Sequence, residues 1–208
     1  MEMTLWWYGS KFDTVTLSQI RQIPGVTGVI TTLYDTAPGE VWSRERIAAL
    51  KAEVAAAGLH ISGIESVNVH DAIKTGAPDR DFYIDNYIQT LENLGKEDIH
   101  LVCYNFMPVF DWTRTELARK RPDGSTVLAY TQEAVDAINP EEMFASIAGD
   151  TNGPIMPGWE PESMAQIKEL FAMYEDHDDE TLFENLKYSM ERSMPACTKY
   201  TLNLAITP

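Results

Sequence analysis

Short apolar runs alternate with amphipathic helical stretches through about the first hundred residues, and this rhythm restricts the fold more than anything else in the chain. Met3 to Tyr8 reads as a strand ended by Gly9. Thr16 is placed to cap a short helix carrying Leu17, Ile20 and Ile23, and Pro24-Gly25 stops it. Val26 to Leu33 is a second strand, rich in β-branched residues. Ser43 caps a helix with Ile47, Leu50, Val54 and Ala57 inward, and Gly58 sits where a C-terminal glycine belongs. Leu59 to Glu65 is a third strand. A helix from about Asp79 to Leu94 presents Tyr83, Tyr87, Leu91 and Leu94, with Gly95 closing it, and Ile99 to Tyr104 is the fourth strand.

Alternation of this kind implies a parallel sheet with right-handed crossovers. An open doubly wound sheet and a closed barrel both satisfy it. No G-x-G-x-x-G follows the first strand, so a dinucleotide fold has no support and a TIM (β/α)₈ barrel is preferred. From Pro108 to Pro161 the rhythm breaks. Asp123-Gly124 suggests the tip of a hairpin, and short helices are expected near Thr131 and Asn139-Pro140. This stretch, residues 108–161, reads as an insertion or lid within one partial barrel domain spanning residues 1–208. Helices follow around Glu162–Tyr174 and Glu180–Lys199, the second with Leu182, Leu186, Met190 and Met194 inward. Thr201 to Thr207 is a fifth strand. Only about the first five strands of a barrel are thus accounted for, and a fragment of a longer protein is the expectation.

Sixteen Lys and Arg stand against thirty-two Asp and Glu, a net charge of −16, which suits neither nucleic acid nor an anionic membrane. No apolar run approaches the ~20 residues of a membrane span. The start of the chain has no signal-peptide pattern, and its two cysteines, Cys103 and Cys197, give no disulfide framework. A cytoplasmic protein is expected.

The strand ends carry the chemistry. Tyr8, Thr31 and Thr32, Glu65 with Ser66 and His70, and Tyr104 with Asn105 would converge at the mouth of a barrel. Just beyond the fourth strand come Trp112 and Arg114. One carboxylate, one imidazole, hydroxyls, an amide and aromatic walls suit a small polyhydroxylated substrate. Glu65 could be a structural carboxylate, but three polar strand ends accompany it and favour function; His70 could equally be an ordinary loop histidine. His60 and His100 begin strands, the stability end of such a fold, and His177 lies in an acidic joint. Glu65 and His70 are too few for a catalytic metal, so no metal ligand is assigned.

Several segments nevertheless resemble one family closely. Trp7-Tyr8-Gly9, Ile20-Arg-Gln-Ile-Pro-Gly25, Gly39-Glu-Val-Trp-Ser43 and Ile64-Glu-Ser-Val67 with His70 resemble the mannonate dehydratases. So, most specifically, does Cys103-Tyr-Asn-Phe-Met-Pro-Val-Phe-Asp-Trp-Thr-Arg114. Pro122-Asp-Gly-Ser125, Pro157-Gly-Trp159 and Glu184-Asn-Leu-Lys-Tyr188 continue the match. The resemblance implies a (β/α)₈ barrel that removes water from D-mannonate to give 2-keto-3-deoxy-D-gluconate in hexuronate breakdown, with Mn²⁺ or Fe²⁺. It implies catalytic roles among Tyr8, Glu65 and His70, and substrate contacts from Tyr104, Asn105, Trp112 and Arg114. The partner is then a small sugar acid, and a homo-oligomer is compatible with it. Two departures stand out. Thr207 occupies the place of a histidine ligand in the family's Ala-Ile-His-Pro strand ending, and Trp6 stands where the family usually has arginine. The family's remaining cysteine, histidine and aspartate ligands would lie beyond Pro208, so the chain alone is expected to be incomplete and inactive. Two other readings compete: a non-catalytic half-barrel remnant or assembly piece, and a metal-dependent sugar isomerase or epimerase.

Overall fold

The structure, a computed structural model, describes residues 2–108, 115–131, 133, 170 and 172–206. They fall into two compact units, Met1–Phe106 with Asp176–Pro208, and Met107–Glu175. In the first unit the apolar runs become β1 (Met3–Trp6), β2 (Val26–Thr31), β3 (His60–Asn68) and β4 (Leu101–Asn105), with β7 (Asn203–Ile206) from the end of the chain. They form one parallel sheet in the order β1-β2-β3-β4-β7, so the strands lie side by side in the order in which they occur. This is an α/β fold with a parallel sheet.

The helices follow from their caps and stripes. In α1 (Leu17–Arg21), Thr16 and Gln19 form a reciprocal capping box, and Leu17 and Ile20 are buried. The Ser43 side chain accepts from the Arg46 N–H at the start of α2 (Arg44–Ala56), which buries Ile47, Leu50 and Val54. A short helix not expected from the sequence, α3 (Asp71–Thr75), follows β3 and ends in Gly76 at φ +70°. Then come α4 (Arg80–Lys96) and, after the second unit, α5 (Asp179–Tyr200), capped by the Asp178 carboxylate.

These helices cover one face of the sheet in two apolar clusters. Trp7, Val26 and Val29 pack with Leu17, Ile20, Leu50 and Val54. Ile64, Val67 and Val102 pack with Ile47, Ile84, Leu91, Leu94 and Cys197. Leu91, Leu94 and Val102 are fully buried, and truncating any one would cost about 2–5 kcal/mol. Trp6, Tyr8, Glu65 and Cys103 are only partly buried. Trp6 and Tyr8 alternate with the core residue Trp7, which puts their rings on the opposite face.

Several expectations need correction. The third strand does not end at Glu65: it runs to Asn68, because Val67 continues the apolar face after a register break between Glu65 and Val67. Gly95 does not close α4 but lies inside it, where an added Cβ would meet the Tyr200 Cβ at 2.5 Å. The α4 helix instead ends at Lys96, with Glu97 as its C-cap and Asp98 at φ +62°. The face of α5 turned inward is not Leu182, Leu186, Met190 and Met194. It is Asn185, Ser189, Ser193, Ala196 and Cys197, while Met194 is exposed. Small residues let α5 approach its neighbours closely. The polar ones are satisfied locally: Ser189 donates to the Leu186 carbonyl, Ser193 to the Ser189 carbonyl, and the Asn185 amide to the Lys74 carbonyl.

In the second unit, β5 (Glu116–Lys120) and β6 (Thr126–Ala129) form the expected antiparallel hairpin. Gly124 takes φ +85° in its turn, and Asp123 accepts from the Ser125 N–H. The helices read near Thr131 and Asn139, and all but the last few residues of the one ending at Tyr174, lie outside the described residues.

Candidate functional site

The site is built from the carboxyl ends of β1, β2 and β3. The β1 backbone continues in register past Trp6, with the Trp7 N–H donating to the Ile30 carbonyl at 2.9 Å. Gly9, at φ +83°, then turns the chain away, and the Tyr8 N–H donates to Asp13 Oδ2 at 2.9 Å. The Tyr8 ring stacks on the Trp6 indole, centroids 5.3 Å apart and planes 12° from parallel. Just after β2, Tyr34 closes the group: its ring lies 5.7 Å from Tyr8, and its hydroxyl accepts from Trp6 Nε1 at 3.0 Å.

Glu65 of β3 lies near enough for its charge to act on this cluster. Burial pushes the Tyr8 phenol above its ordinary value, and the charges of Asp13 and Glu65 push it further. Burial raises Tyr34 more strongly, with Glu65 adding to the rise. Cys103, paired with Glu65 in register, has its thiol raised by burial and by the same carboxylate. The chemistry is a carboxylate able to accept a proton, beside two phenols that stay protonated and able to donate.

The other residues singled out in the sequence are placed differently. Asn105 is 2% exposed at the end of β4; its Oδ1 accepts from the Val69 N–H at 3.2 Å, and its Nδ2 donates to Asn68 Oδ1 at 3.1 Å. Ser66 Oγ donates to the same Asn68 oxygen, and Thr32 Oγ1 donates to the Ser66 carbonyl, so these polar ends tie β2, β3 and β4 together. Tyr104 packs against the helix-covered core. His70 caps α3, its Nδ1 accepting from the Ala72 N–H at 3.1 Å, and its ring lies flat on Tyr83 with centroids 3.6 Å apart. It borders a small pocket with Asn68, Trp42 and Tyr87. Trp112, Arg114 and Thr207 lie outside the described residues. Tyr8 and Glu65 are thus brought together, Asn105 secures the strand ends, and His70 sits at a helix cap.

Sequence reasoning missed Tyr34, Trp6 in its hydrogen-bonded role, and Asn68. The signal for Tyr34 was its position directly after the strand read as Val26 to Leu33, the place that Asn105 takes after the fourth strand.

Among the described residues no three His, Cys, Asp or Glu side chains come together as a metal site. Glu65 has the Cys103 thiol beside it, but that thiol is held protonated and is a poor ligand. These residues do not by themselves fit Mn²⁺ or Fe²⁺. No helix among them is long and apolar enough to cross a membrane.

The parallel sheet, with polar and aromatic side chains gathered toward the carboxyl ends of its strands, places the chain among the α/β proteins. The chain belongs to the D-mannonate dehydratase (UxuA) family, whose model matches residues 1–208. It is 61% identical to the mannonate dehydratase of Brachyspira hyodysenteriae over all of its own length and 59% of that relative's. It is 50% identical to the mannonate dehydratase of Geobacillus thermodenitrificans, over 56% of that protein. The crystal structure of mannonate dehydratase from Streptococcus suis superposes with a TM-score of 0.82 at 39% identity, covering the whole chain and 53% of that structure. The chain spans a little over half the length of the curated relatives it matches.

Proposed function

We propose that this sequence supplies five successive strands of a (β/α)₈ barrel that dehydrates D-mannonate to 2-keto-3-deoxy-D-gluconate in hexuronate breakdown. Family membership supports the reaction. The chain-order parallel sheet, with helices on one face and the polar cluster on the other, supports the barrel. In the reaction a base takes the proton from C2, the C3–O bond breaks as its oxygen leaves in water, and the resulting enol becomes the 2-ketone. Glu65 is the acceptor this arrangement offers for the C2 proton. The Tyr8 phenol, held protonated, is the donor it offers to the departing C3 hydroxyl.

The single observation carrying this assignment is the strand register, Trp6 beside Ile30 and Thr31 beside Ile64 with Trp7 N–H on the Ile30 carbonyl, which sets the stacked Trp6–Tyr8–Tyr34 group level with Glu65 across β2. Trp112 and Arg114 keep their assignment as substrate contacts, while Asn105 acts through the backbone it holds and Tyr104 through its packing against the core. His70 keeps an acid–base assignment alongside its capping bond. The family's Mn²⁺ or Fe²⁺ would be held by residues outside those described. A cytoplasmic location belongs to the same reading and is supported by the free thiols of Cys103 and Cys197. So do the lid role of residues 108–161, a small sugar acid as the partner, and self-association.

The test is D-mannonate turnover by the complete gene product with Mn²⁺. Glu65→Gln and Tyr8→Phe are expected to lower kcat by about a hundredfold or more, with KM little changed. A complete, folded, Mn²⁺-loaded protein that leaves D-mannonate unchanged ends this reading.

A further inference from the structure

We infer that Tyr34 is a positioning residue: it sets the orientation of the Tyr8 phenol by holding the Trp6 indole on which Tyr8 is stacked. The inference rests on the reading of Tyr8 as the proton donor, but its geometry stands apart from it. Trp6 and Tyr34 are 28 positions apart, and the 3.0 Å bond from the indole N–H to the Tyr34 hydroxyl links the end of β1 to the loop after β2. The indole has a single N–H, so this bond fixes its rotation in the plane that Tyr8 lies against. Tyr8 is then bounded by Trp6 at 5.3 Å and 12°, and by Tyr34 at 5.7 Å and 33°. Phe12 meets Tyr34 edge-on at 5.7 Å and adds a further contact to that ring. The Tyr8 backbone is already pinned by Asp13, which leaves the ring's own torsions as the freedom to be removed.

The adjacent tryptophan shows that the bond is not a general need of buried indoles in this sheet. Trp7 is 2% exposed in the apolar core, and its Nε1 finds no partner among the described residues. The fold tolerates an unpaired indole N–H on the helix-covered face, yet pairs the one beside Glu65 and Tyr8. Burial keeps the Tyr34 hydroxyl un-ionised, so it accepts from the indole as a neutral group and retains its own proton for donation.

The experiment uses the complete gene product and Tyr34→Phe, which deletes the hydroxyl and keeps the ring. The Trp6 indole N–H resonance is expected to move upfield. The kcat for D-mannonate should fall about three- to tenfold with KM changed less than about twofold. In a Tyr8→Phe background the same substitution should add little, because its effect passes through the Tyr8 hydroxyl. Additive losses, or an unchanged kcat with a displaced indole signal, would overturn the inference. If the unsubstituted protein does not dehydrate D-mannonate, the proposed function fails alone. The Tyr8 ¹³Cζ resonance then decides: a shift in Tyr34→Phe sustains the positioning role, and no shift removes it.

Discussion

Replacing His70 by alanine and, separately, by asparagine distinguishes the two things its ring can do. The ring Nδ1 accepts from the Ala72 N–H, and losing such a helix cap costs about 1 kcal/mol. The ring also lies on Tyr83 at 3.6 Å and 7°, a stack worth about 1 kcal/mol more. His70→Ala forfeits both, about 2 kcal/mol, which for a chain of this size lowers Tm by about 4–8 °C. Asparagine is as good a cap as any residue, so His70→Asn should lose only the stack, about 2–4 °C. The pH dependence carries a sign. Burial holds the ring below its ordinary value of 6.5, Lys74 adds to the drop, and Asp71 and Asp79 oppose it. The unfolded chain therefore binds its proton at higher pH than the folded one. Stability is fully present above about 6.5 and declines as pH falls from there through the lower folded value. Protonation also puts a hydrogen on Nδ1 facing the Ala72 N–H. Thermal unfolding of the three proteins between pH 5 and pH 8 tests this (about one and a half units either side of the unfolded value), and the asparagine variant should lack this acid-side loss. Equal losses in both variants, with the same pH dependence as the parent, would refute the capping argument. Turnover then reads the ring's chemistry: activity lost in both variants, although the cap is restored in one, marks His70 as a proton-handling group.

Further outcomes follow from the packing. Gly95→Ala drives a methyl into Tyr200 and should destabilise the α4–α5 contact by about 1–3 kcal/mol, seen as a lower urea midpoint. Asn105→Leu leaves the buried Val69 N–H without its acceptor and should cost about 1–3 kcal/mol, with faster amide exchange at Val69. Cys103 should alkylate slowly near pH 8, and Glu65→Gln should speed it about two- to fivefold by removing the charge that helps to raise the thiol. Peptide-resolved mass spectrometry reads the rate, and an unchanged rate would separate the two side chains.

The parallel sheet was legible because Val29, Ile64 and Val102 sit in short strand-like segments that alternate with capped helical stretches. Ser43 and Gly58 framed α2 for equally local reasons. What local pattern could not give was α5. Its buried stripe of Asn185, Ser189 and Ser193 is chosen by how closely another helix approaches, while hydrophobic periodicity picks the larger side chains beside it. Gly95 misled in the same way: it is small because Tyr200, about a hundred residues away, needs the room. Of the candidate site, Tyr8 and Glu65 were visible as polar groups at strand ends. Tyr34 and the capping role of His70 depend on partners that no spacing rule links.

Because β1 to β4 pair in the order of synthesis, each finds its neighbour already present as it leaves the ribosome. β7 does not. Its partner β4 must wait through the whole intervening stretch, hairpin included, with one row of N–H and C=O groups unclaimed. That interval is when a nascent chain of this kind is most open to the wrong partner. Substitutions that make Leu101–Asn105 stickier would therefore be felt first as poor yield, before any change in the finished molecule.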